Sequence, residues 1–288
     1  MTVYPHVAVL GFGTMGGGIA QVVAQSGRQV TVLEASQERL EAGLAAMSDF
    51  LDGGVRRGKL ADAQRADVLA RVQGTTEVAG LTDTDLVIEA VTERPDVKRA
   101  LLSEVADVVR EDAVIVTNTS ALSVTGLATA VPHSGRFAGL HFFNPAPLMR
   151  VVEVVRALQT GPEVVRRLTA FTTDIGKDPV VVKDRPGFLV NRLLMPYLND
   201  VIQAYDDELA DAEDIDTAVR LGLGHRLGPL ELLDLIGLDV HRHATLSAYE
   251  ATLDPRFAPP PLLAQMVAAG HLGTKNGQGF RTSSKEAR

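Results

Sequence analysis

The sequence has 288 residues, and its hydrophobic fraction of 45% and charged fraction of 22% are those of an ordinary globular protein with room for two domains. The formal net charge of −8 argues against nucleic acid or an anionic membrane as a partner. The lack of cysteine excludes disulfides, thiolate metal sites and cysteine nucleophiles, and it fits a cytoplasmic location. We expect no signal peptide and no membrane-spanning helix, because no basic leader or sufficiently long apolar run is visible.

Up to residue 184, short β-branched runs alternate with amphipathic segments. Several of the predicted strands are apolar throughout, as is typical of parallel strands that are covered on both faces. The alternation predicts an α/β domain, a Rossmann-like doubly wound sheet over residues 1–184. The predicted strands are 6–11, 29–34, 86–91, 113–118, 136–141, 149–155 and 179–183, and the predicted helices are 15–26, 37–51, 61–71, 95–110 and 162–175.

After residue 184 the β-branched runs stop, and helical periodicity with glycine and proline boundaries takes over. We therefore predict an all-α C-terminal domain over residues 185–288. This domain is expected to contribute to a substrate cleft and to a homodimer interface, although ordinary core packing explains its apolar faces equally well. The predicted helices are 187–207, 211–222, 229–237, 239–252 and 261–269.

A glycine-rich turn follows the first strand. Gly11, Gly13 and Gly16 form a G-x-G-x-x-G pattern between a strand and a helix, and Glu34 ends the second strand. This context predicts a dinucleotide site, with the pyrophosphate at the helix N-terminus and the adenosine ribose at Glu34. The carboxylate would repel a 2′-phosphate, so NAD is favoured over NADP. Arg39 is expected on the helix surface. The other predicted cofactor contacts of the turn are Phe12, Thr14 and Met15.

Two ionisable residues lie in apolar strands. His141 ends one strand, the Asn144–Pro147 stretch reverses the chain, and Glu153 lies among valines in the next strand. A glutamate there is costly to bury unpaired, and an imidazole is a suitable partner. Spacing alone leaves two interpretations open: a His–Glu dyad for proton transfer, or a structural histidine and a solvent-facing glutamate.

The order of several motifs resembles that of the 3-hydroxyacyl-CoA dehydrogenase family, and most of all the short bacterial 3-hydroxybutyryl-CoA dehydrogenases. The resemblance extends from about residue 5 to 280, so it covers both predicted domains. The matching stretches are GFGTMGGGIAQVVAQSG, TNTSALSV, GLHFFNPAPLMRVVEVV, DRPGFLVNRLLMPYLN, AEDIDTAVRLGLGHRLGPLELLDLIGLD and LGTKNGQGF.

The resemblance implies an NAD-dependent enzyme that interconverts 3-hydroxyacyl-CoA and 3-oxoacyl-CoA. It makes His141 the general base and Glu153 its orienting partner. It also makes Ser120 and Asn191 the residues that hold the reacting oxygen. The remaining residues expected near NAD are Glu93, Lys98, Asn118, Ser120, Asn144 and Lys275.

One departure from the family concerns the acyl carrier. Asp49 and Phe50 stand where family members often have lysine and serine for the CoA nucleotide. Arg56 and Lys59 are candidates for binding the 3′-phosphate of CoA. The alternative interpretation is that they only form the solvated basic end of a helix. An alternative substrate is therefore a hydroxyacyl group on an acyl carrier protein, as in polyketide extender-unit pathways.

Two further alternatives are a 3-hydroxyisobutyrate-type dehydrogenase and a non-catalytic NAD-binding homologue. The first needs a lysine at helical spacing near Asn191, and the sequence offers none. The second needs no His–Glu pair. No metal is expected: His241 and His243 are two residues apart on a predicted helix, and we expect both at the surface.

Overall fold

The computed structural model describes residues 3–281, so the outer ends of the two predicted domains, residues 1–2 and 282–288, lie outside the described residues. The chain divides into two compact units, with the division between Arg185 and Pro186. The first unit carries the sheet, and the second is helical.

Within residues 3–185 the first unit contains one eight-stranded sheet in the order β3-β2-β1-β4-β5-β6-β7-β8. Every neighbouring pair is parallel except β6 and β7, which are antiparallel. The predicted Rossmann-like doubly wound fold is thus confirmed. The strands are β1 His6–Leu10, β2 Gln29–Leu33, β3 Val72–Thr75, β4 Leu86–Glu89, β5 Val114–Thr117, β6 Phe137–Phe142, β7 Val151–Arg156 and β8 Asp178–Lys183.

The helices of this unit bury one face against the sheet. The central strands β4, β5 and β6 are buried at every position, as their largely apolar sequences predict. Ser36 caps α2, since its Oγ accepts a hydrogen bond from the backbone N–H of Arg39 at 3.3 Å. The helices are α1 Thr14–Gln25, α2 Gln37–Arg56, α3 Asp62–Ala70, α4 Pro95–Val108, α5 Val124–Ala128 and α6 Pro162–Asp174.

Three elements differ from the sequence expectation, and one of them is the five-residue helix α5, which was not predicted. The strand β3 (VQGT) was not predicted, because it is a four-residue edge strand with a glycine and two exposed central positions. Helix α2 continues to Arg56 instead of ending near residue 51, through Gly53 and Gly54. Burial of Leu51 and the ion pair of Asp52 with Arg65 (2.6 Å) on α3 outweigh the low helix propensity of the two glycines.

The second unit is all-α, as predicted, and its core is formed by leucines from several helices, among them Leu198, Leu230 and Leu263. Within residues 186–281 its helices are α7 Val190–Asp206, α8 Ala212–Gly222, α9 Pro229–Ile236, α10 Leu238–Thr252 and α11 Pro261–Ala268. No helix in the described part of the chain is both long and apolar enough to cross a membrane.

A buried polar cluster in the second unit corrects one expectation. His241 is not at the surface: it is 3% exposed, and its Nε2 lies 3.0 Å from Asn199 Oδ1. Asn199 Nδ2 in turn donates to Thr245 Oγ1 at 2.9 Å. His243 is exposed, as expected. Spacing two residues apart on one helix turns the two rings to different faces, and one of those faces is the core.

Candidate active site

The glycine-rich turn has the backbone geometry that a dinucleotide site requires. Gly11 has φ of +87°, which favours glycine. A Cβ on Gly16 would lie 1.9 Å from the carbonyl oxygen of Gly11, so the start of α1 packs directly on the turn. A Cβ on Gly13 would meet no atom within 4 Å, which leaves the N-terminus of α1 open to a phosphate.

Glu34 lies next to this turn and is held by it. Its Oε1 accepts a hydrogen bond from the backbone N–H of Phe12 at 2.7 Å, and its Oε2 accepts one from that of Ala35 at 2.9 Å. The carboxylate is therefore fixed in orientation while its remaining acceptor capacity is available for ribose hydroxyls. Together with the open N-terminus of α1, this arrangement fits NAD.

A cavity of about 540 Å³ lies beside the turn. It is bounded by α1 as far as Gln21, by α2 as far as Phe50, and by the chain reversal after β6. Its walls are largely apolar, with a few polar side chains. Arg39 is exposed on α2, as expected, and it also lines the cavity. The predicted site residues that line the cavity are Phe12, Gly13, Thr14, Glu34 and Asn144.

His141 and Glu153 meet across the antiparallel pair of strands. They are direct register partners of β6 and β7, and His141 Nδ1 lies 2.7 Å from Glu153 Oε2. Both residues are buried, 5% and 1% exposed, and β7 is not an edge strand. Because an ionised carboxylate is only an acceptor, the short distance places a proton on Nδ1, so that the lone pair of the neutral ring is on Nε2.

Asn118 fixes the end of the strand that carries His141. Its Oδ1 accepts a hydrogen bond from the backbone N–H of Phe142 at 2.8 Å. Two residues later the chain passes through a cis peptide bond between Asn144 and Pro145 and turns back toward β7. Asn118 thus contacts the histidine strand itself, a structural role beside its predicted place near the cofactor.

Glu93 organises the loop that contains Ser120. Its Oε1 accepts hydrogen bonds from Thr119 Oγ1 at 2.5 Å and from the backbone N–H of Ser120 at 2.9 Å. Burial acts to raise the pKa of Glu93, but the Thr119 hydrogen bond and the charge of Lys98 together bring it below its usual value. The loop is therefore held by an ionised carboxylate, and Ser120 itself is exposed.

Lys98 is buried in an ion-pair network beneath this loop. It is 1% exposed, and its Nζ lies 2.6 Å from Glu89 Oε1 and 3.2 Å from Glu93 Oε2. Glu89 is fully buried, and its Oε2 also accepts a hydrogen bond from Thr117 Oγ1 at 2.7 Å. Sequence reasoning missed Glu89 and Thr119. The available signal for Glu89 was a carboxylate at the end of a strand that is otherwise apolar.

Four further residues were predicted at the site. Asn191 is the second residue of α7 in the helical unit. Lys275, in the same unit, is exposed and forms an ion pair with Asp239 at 2.7 Å. Arg56 and Lys59 are exposed at and just beyond the end of α2, and neither lines the 540 Å³ cavity. The roles predicted for these four residues stay predictions.

Two protein-family models match the chain in succession. The 3-hydroxyacyl-CoA dehydrogenase NAD binding domain matches residues 6–185, and the 3-hydroxyacyl-CoA dehydrogenase C-terminal domain matches residues 187–283. The two matches meet at the boundary between the two compact units.

Individual proteins are similar over nearly the whole chain. A probable 3-hydroxybutyryl-CoA dehydrogenase of Deinococcus radiodurans is 42% identical over 94% of this chain and 98% of its own length. The mitochondrial hydroxyacyl-coenzyme A dehydrogenase of Sus scrofa is 40% identical over 96% of this chain and 90% of its own length. The crystal structure of the (S)-3-hydroxybutyryl-CoA dehydrogenase of Ralstonia eutropha superposes with a TM-score of 0.94, at 40% identity, over 98% of this chain and 100% of that one. The chain therefore belongs to the 3-hydroxyacyl-CoA dehydrogenase family.

Proposed function

We propose that this protein is an NAD-dependent 3-hydroxyacyl-CoA dehydrogenase that interconverts 3-hydroxybutyryl-CoA-like thioesters and their 3-oxo forms. The observation that carries the proposal is the buried His141–Glu153 pair, whose Nδ1 and Oε2 atoms are 2.7 Å apart, on interior strands of a sheet that also carries a dinucleotide turn. The relatives whose names specify this activity match both units of the chain.

His141 acts as the general base. With the proton on Nδ1 engaged by Glu153, the lone pair on Nε2 takes the proton of the substrate hydroxyl as the carbinol carbon loses hydride. The ring then carries a positive charge, which the adjacent carboxylate stabilises. In the reverse direction the imidazolium returns the proton to the oxygen as the carbonyl is reduced.

NAD, when bound, supplies the hydride acceptor. The open N-terminus of α1 beside Gly13 would hold the pyrophosphate, and Glu34 would bind the adenosine ribose and disfavour NADP. Ser120, on the loop clamped by Glu93, is proposed to donate a hydrogen bond to the reacting oxygen. Asn191 is proposed to bind the same oxygen.

The substrate is proposed to be a short acyl thioester of the S configuration, since the Ralstonia relative is named for (S)-3-hydroxybutyryl-CoA. CoA is the carrier that the names of the relatives specify. One observation favours a second candidate, an acyl carrier protein: the cations Arg56 and Lys59 lie outside the cavity, and Phe50 lines it. A carrier-protein arm has no 3′-phosphate for those cations to bind.

We also propose that the protein forms a homodimer through its helical unit. This unit exposes several large apolar side chains, among them Leu193, Leu221 and Leu223. Light scattering after size-exclusion chromatography measures the mass, and a monomer at micromolar concentration would contradict the proposal.

The activity is tested by NADH absorbance at physiological pH. Purified protein with NAD and (S)-3-hydroxybutyryl-CoA is expected to produce NADH, and acetoacetyl-CoA is expected to consume it. The same assay with the two acyl groups on an acyl carrier protein determines the carrier. Absence of turnover with every thioester, while NADH still binds, would refute the enzymatic proposal and favour a non-catalytic NAD-binding protein.

A further inference from the structure

The chain reversal between β6 and β7, residues 143–150, forms one wall of the cavity, with Asn144 to Pro147 lining it. We refer to it as the 143–150 turn. It also packs against α1: a Cβ built on Gly18 would lie 3.1 Å from Pro147 Cδ and 3.2 Å from Ala146 Cβ. The distance between the turn and α1 therefore sets the shape of the cavity.

Lys177 holds this turn through three of its backbone carbonyl groups. It is 7% exposed, and its Nζ lies 2.7 Å from the carbonyl oxygen of Ala146, 3.3 Å from that of Pro147 and 2.8 Å from that of Met149. An ammonium group has three donors, and these three carbonyls match them. Burial first, and then the charge of Arg150, lower the pKa of Lys177.

The backbone around Lys177 is itself fixed. The N–H of Lys177 donates to the carbonyl of Thr172 on α6 at 3.0 Å. The N–H of Asp178 donates to the carbonyl of Arg150 at 2.8 Å, where β8 begins to pair with β7. The ammonium therefore reaches the turn from a rigid base, and the turn cannot shift without losing up to three charge-assisted hydrogen bonds.

We propose that Lys177 is a positioning residue whose ammonium holds the 143–150 turn against α1 and so sets the binding wall of the cavity. The identity of the ligands that bind in the cavity rests on the proposed function, whereas the contacts of Lys177 with the turn do not depend on it. The His141–Glu153 pair depends less on the turn, because it lies within the paired strands and Asn118 holds the adjoining Phe142. Loss of Lys177 should therefore weaken binding more than it slows the chemical step.

The first test is Lys177→Met, with Lys183→Met as a matched control on β8, where the lysine is exposed. For Lys177→Met we expect KM for NAD, for the thioester or for both to rise at least about tenfold, which corresponds to a loss of ~1.4 kcal/mol of binding free energy. We expect kcat to stay within about threefold of the wild-type value. The backbone amides of residues 148 and 149, within the 143–150 turn, should exchange their hydrogens with solvent faster than in the wild-type protein. Lys177→Arg should recover part of the affinity, and Lys183→Met should change neither constant.

A second variant moves the same wall without removing a buried charge. Gly18→Ala places a methyl group against Pro147 and Ala146, and the helix gains rather than loses propensity. It should raise KM with little change in kcat or in thermal stability, and it keeps the test open if Lys177→Met does not fold.

The outcomes separate this proposal from the proposed function. If the wild-type protein oxidises no thioester, the function fails, while the affinity for NADH and the amide exchange of the turn still test Lys177. If Lys177→Met leaves KM, NADH affinity and amide exchange at wild-type values, or lowers kcat with KM unchanged, the positioning role is wrong.

Discussion

Substitution of Glu153 by glutamine tests the electrostatic part of the proposed mechanism. Glutamine keeps a carbonyl oxygen that can accept the Nδ1–H of His141, so the ring orientation is retained, but it removes the negative charge. Both residues are almost fully buried, at 5% and 1% exposure, so solvent screens their interaction only weakly. The variant therefore isolates the stabilisation of a positive charge on the ring.

The size of the effect follows from the geometry. The nearest atoms of the pair are 2.7 Å apart. Unit charges with centres about 4 Å apart interact by about 4 kcal/mol at an effective dielectric constant of ~20. If about half a charge has developed on the ring in the transition state, the carboxylate contributes about 2 kcal/mol, which corresponds to about 30-fold in kcat.

The assay is NADH formation from (S)-3-hydroxybutyryl-CoA at saturating NAD. Glu153→Gln should lower kcat about 30-fold and leave KM within about twofold, since the lost interaction develops only in the transition state. Glu163→Gln, an exposed glutamate on α6, is the matched control and should be unchanged. A kcat within twofold of wild type for Glu153→Gln would refute the assigned role of the carboxylate.

Three other variants test other parts of the structure. Glu34→Gln should raise the dissociation constant of NAD about tenfold and should reduce the preference for NAD over NADP. Both dissociation constants are measured by calorimetry, and an unchanged constant for NAD would contradict the ribose contact. Glu89→Gln leaves Lys98 with one carboxylate fewer in a buried site, so urea unfolding should show that the free energy of unfolding falls by about 3 kcal/mol. The control variant Asp96→Asn, at an exposed ion pair, should show no such loss. Burial lowers the pKa of His241 to about 4, below the ~6.5 of the unfolded chain. The neutral ring therefore contributes fully to the free energy of unfolding above pH 6.5, and this contribution is lost as the pH falls toward 4. His241→Gln should therefore flatten the stability profile between those pH values, by about 3 kcal/mol in total, and an unaltered slope would contradict the assignment.

The sequence is most informative where one local pattern determines the structure. Strands such as β5 and β6 are apolar at nearly every position, and the glycine-rich turn requires its particular residue types. Both were therefore predictable. The edge strand β3 was not, because only its pairing with β2 makes it a strand.

The pairing of His141 with Glu153 shows where spacing is insufficient. Two strands joined by a turn bring a histidine and a glutamate to the same region, but a slip of one residue would place them on opposite faces of the sheet. The observed register, His141 opposite Glu153, is set by the whole β6–β7 ladder and by the length of the 143–150 turn. The motif resemblance implied the pairing, and the backbone register provides its physical reason.

Of the two buried lysines within residues 3–281, Lys98 was singled out from the sequence and Lys177 was missed. Lys98 and Lys177 both reside next to apolar segments, yet Lys98 is neutralised by two carboxylates and Lys177 is solvated by three carbonyl oxygens. The partners of Lys177 are not visible from the local sequence pattern, because the carbonyls lie about thirty residues before it in the chain. Burying an ammonium is costly unless its hydrogen bonds are made, so each lysine fixes the segment that supplies its acceptors. In this protein those segments are residues 89–93, from which Glu93 holds the Ser120 loop, and the 143–150 turn, so the cost of burying each ammonium helps to hold the proposed site in place.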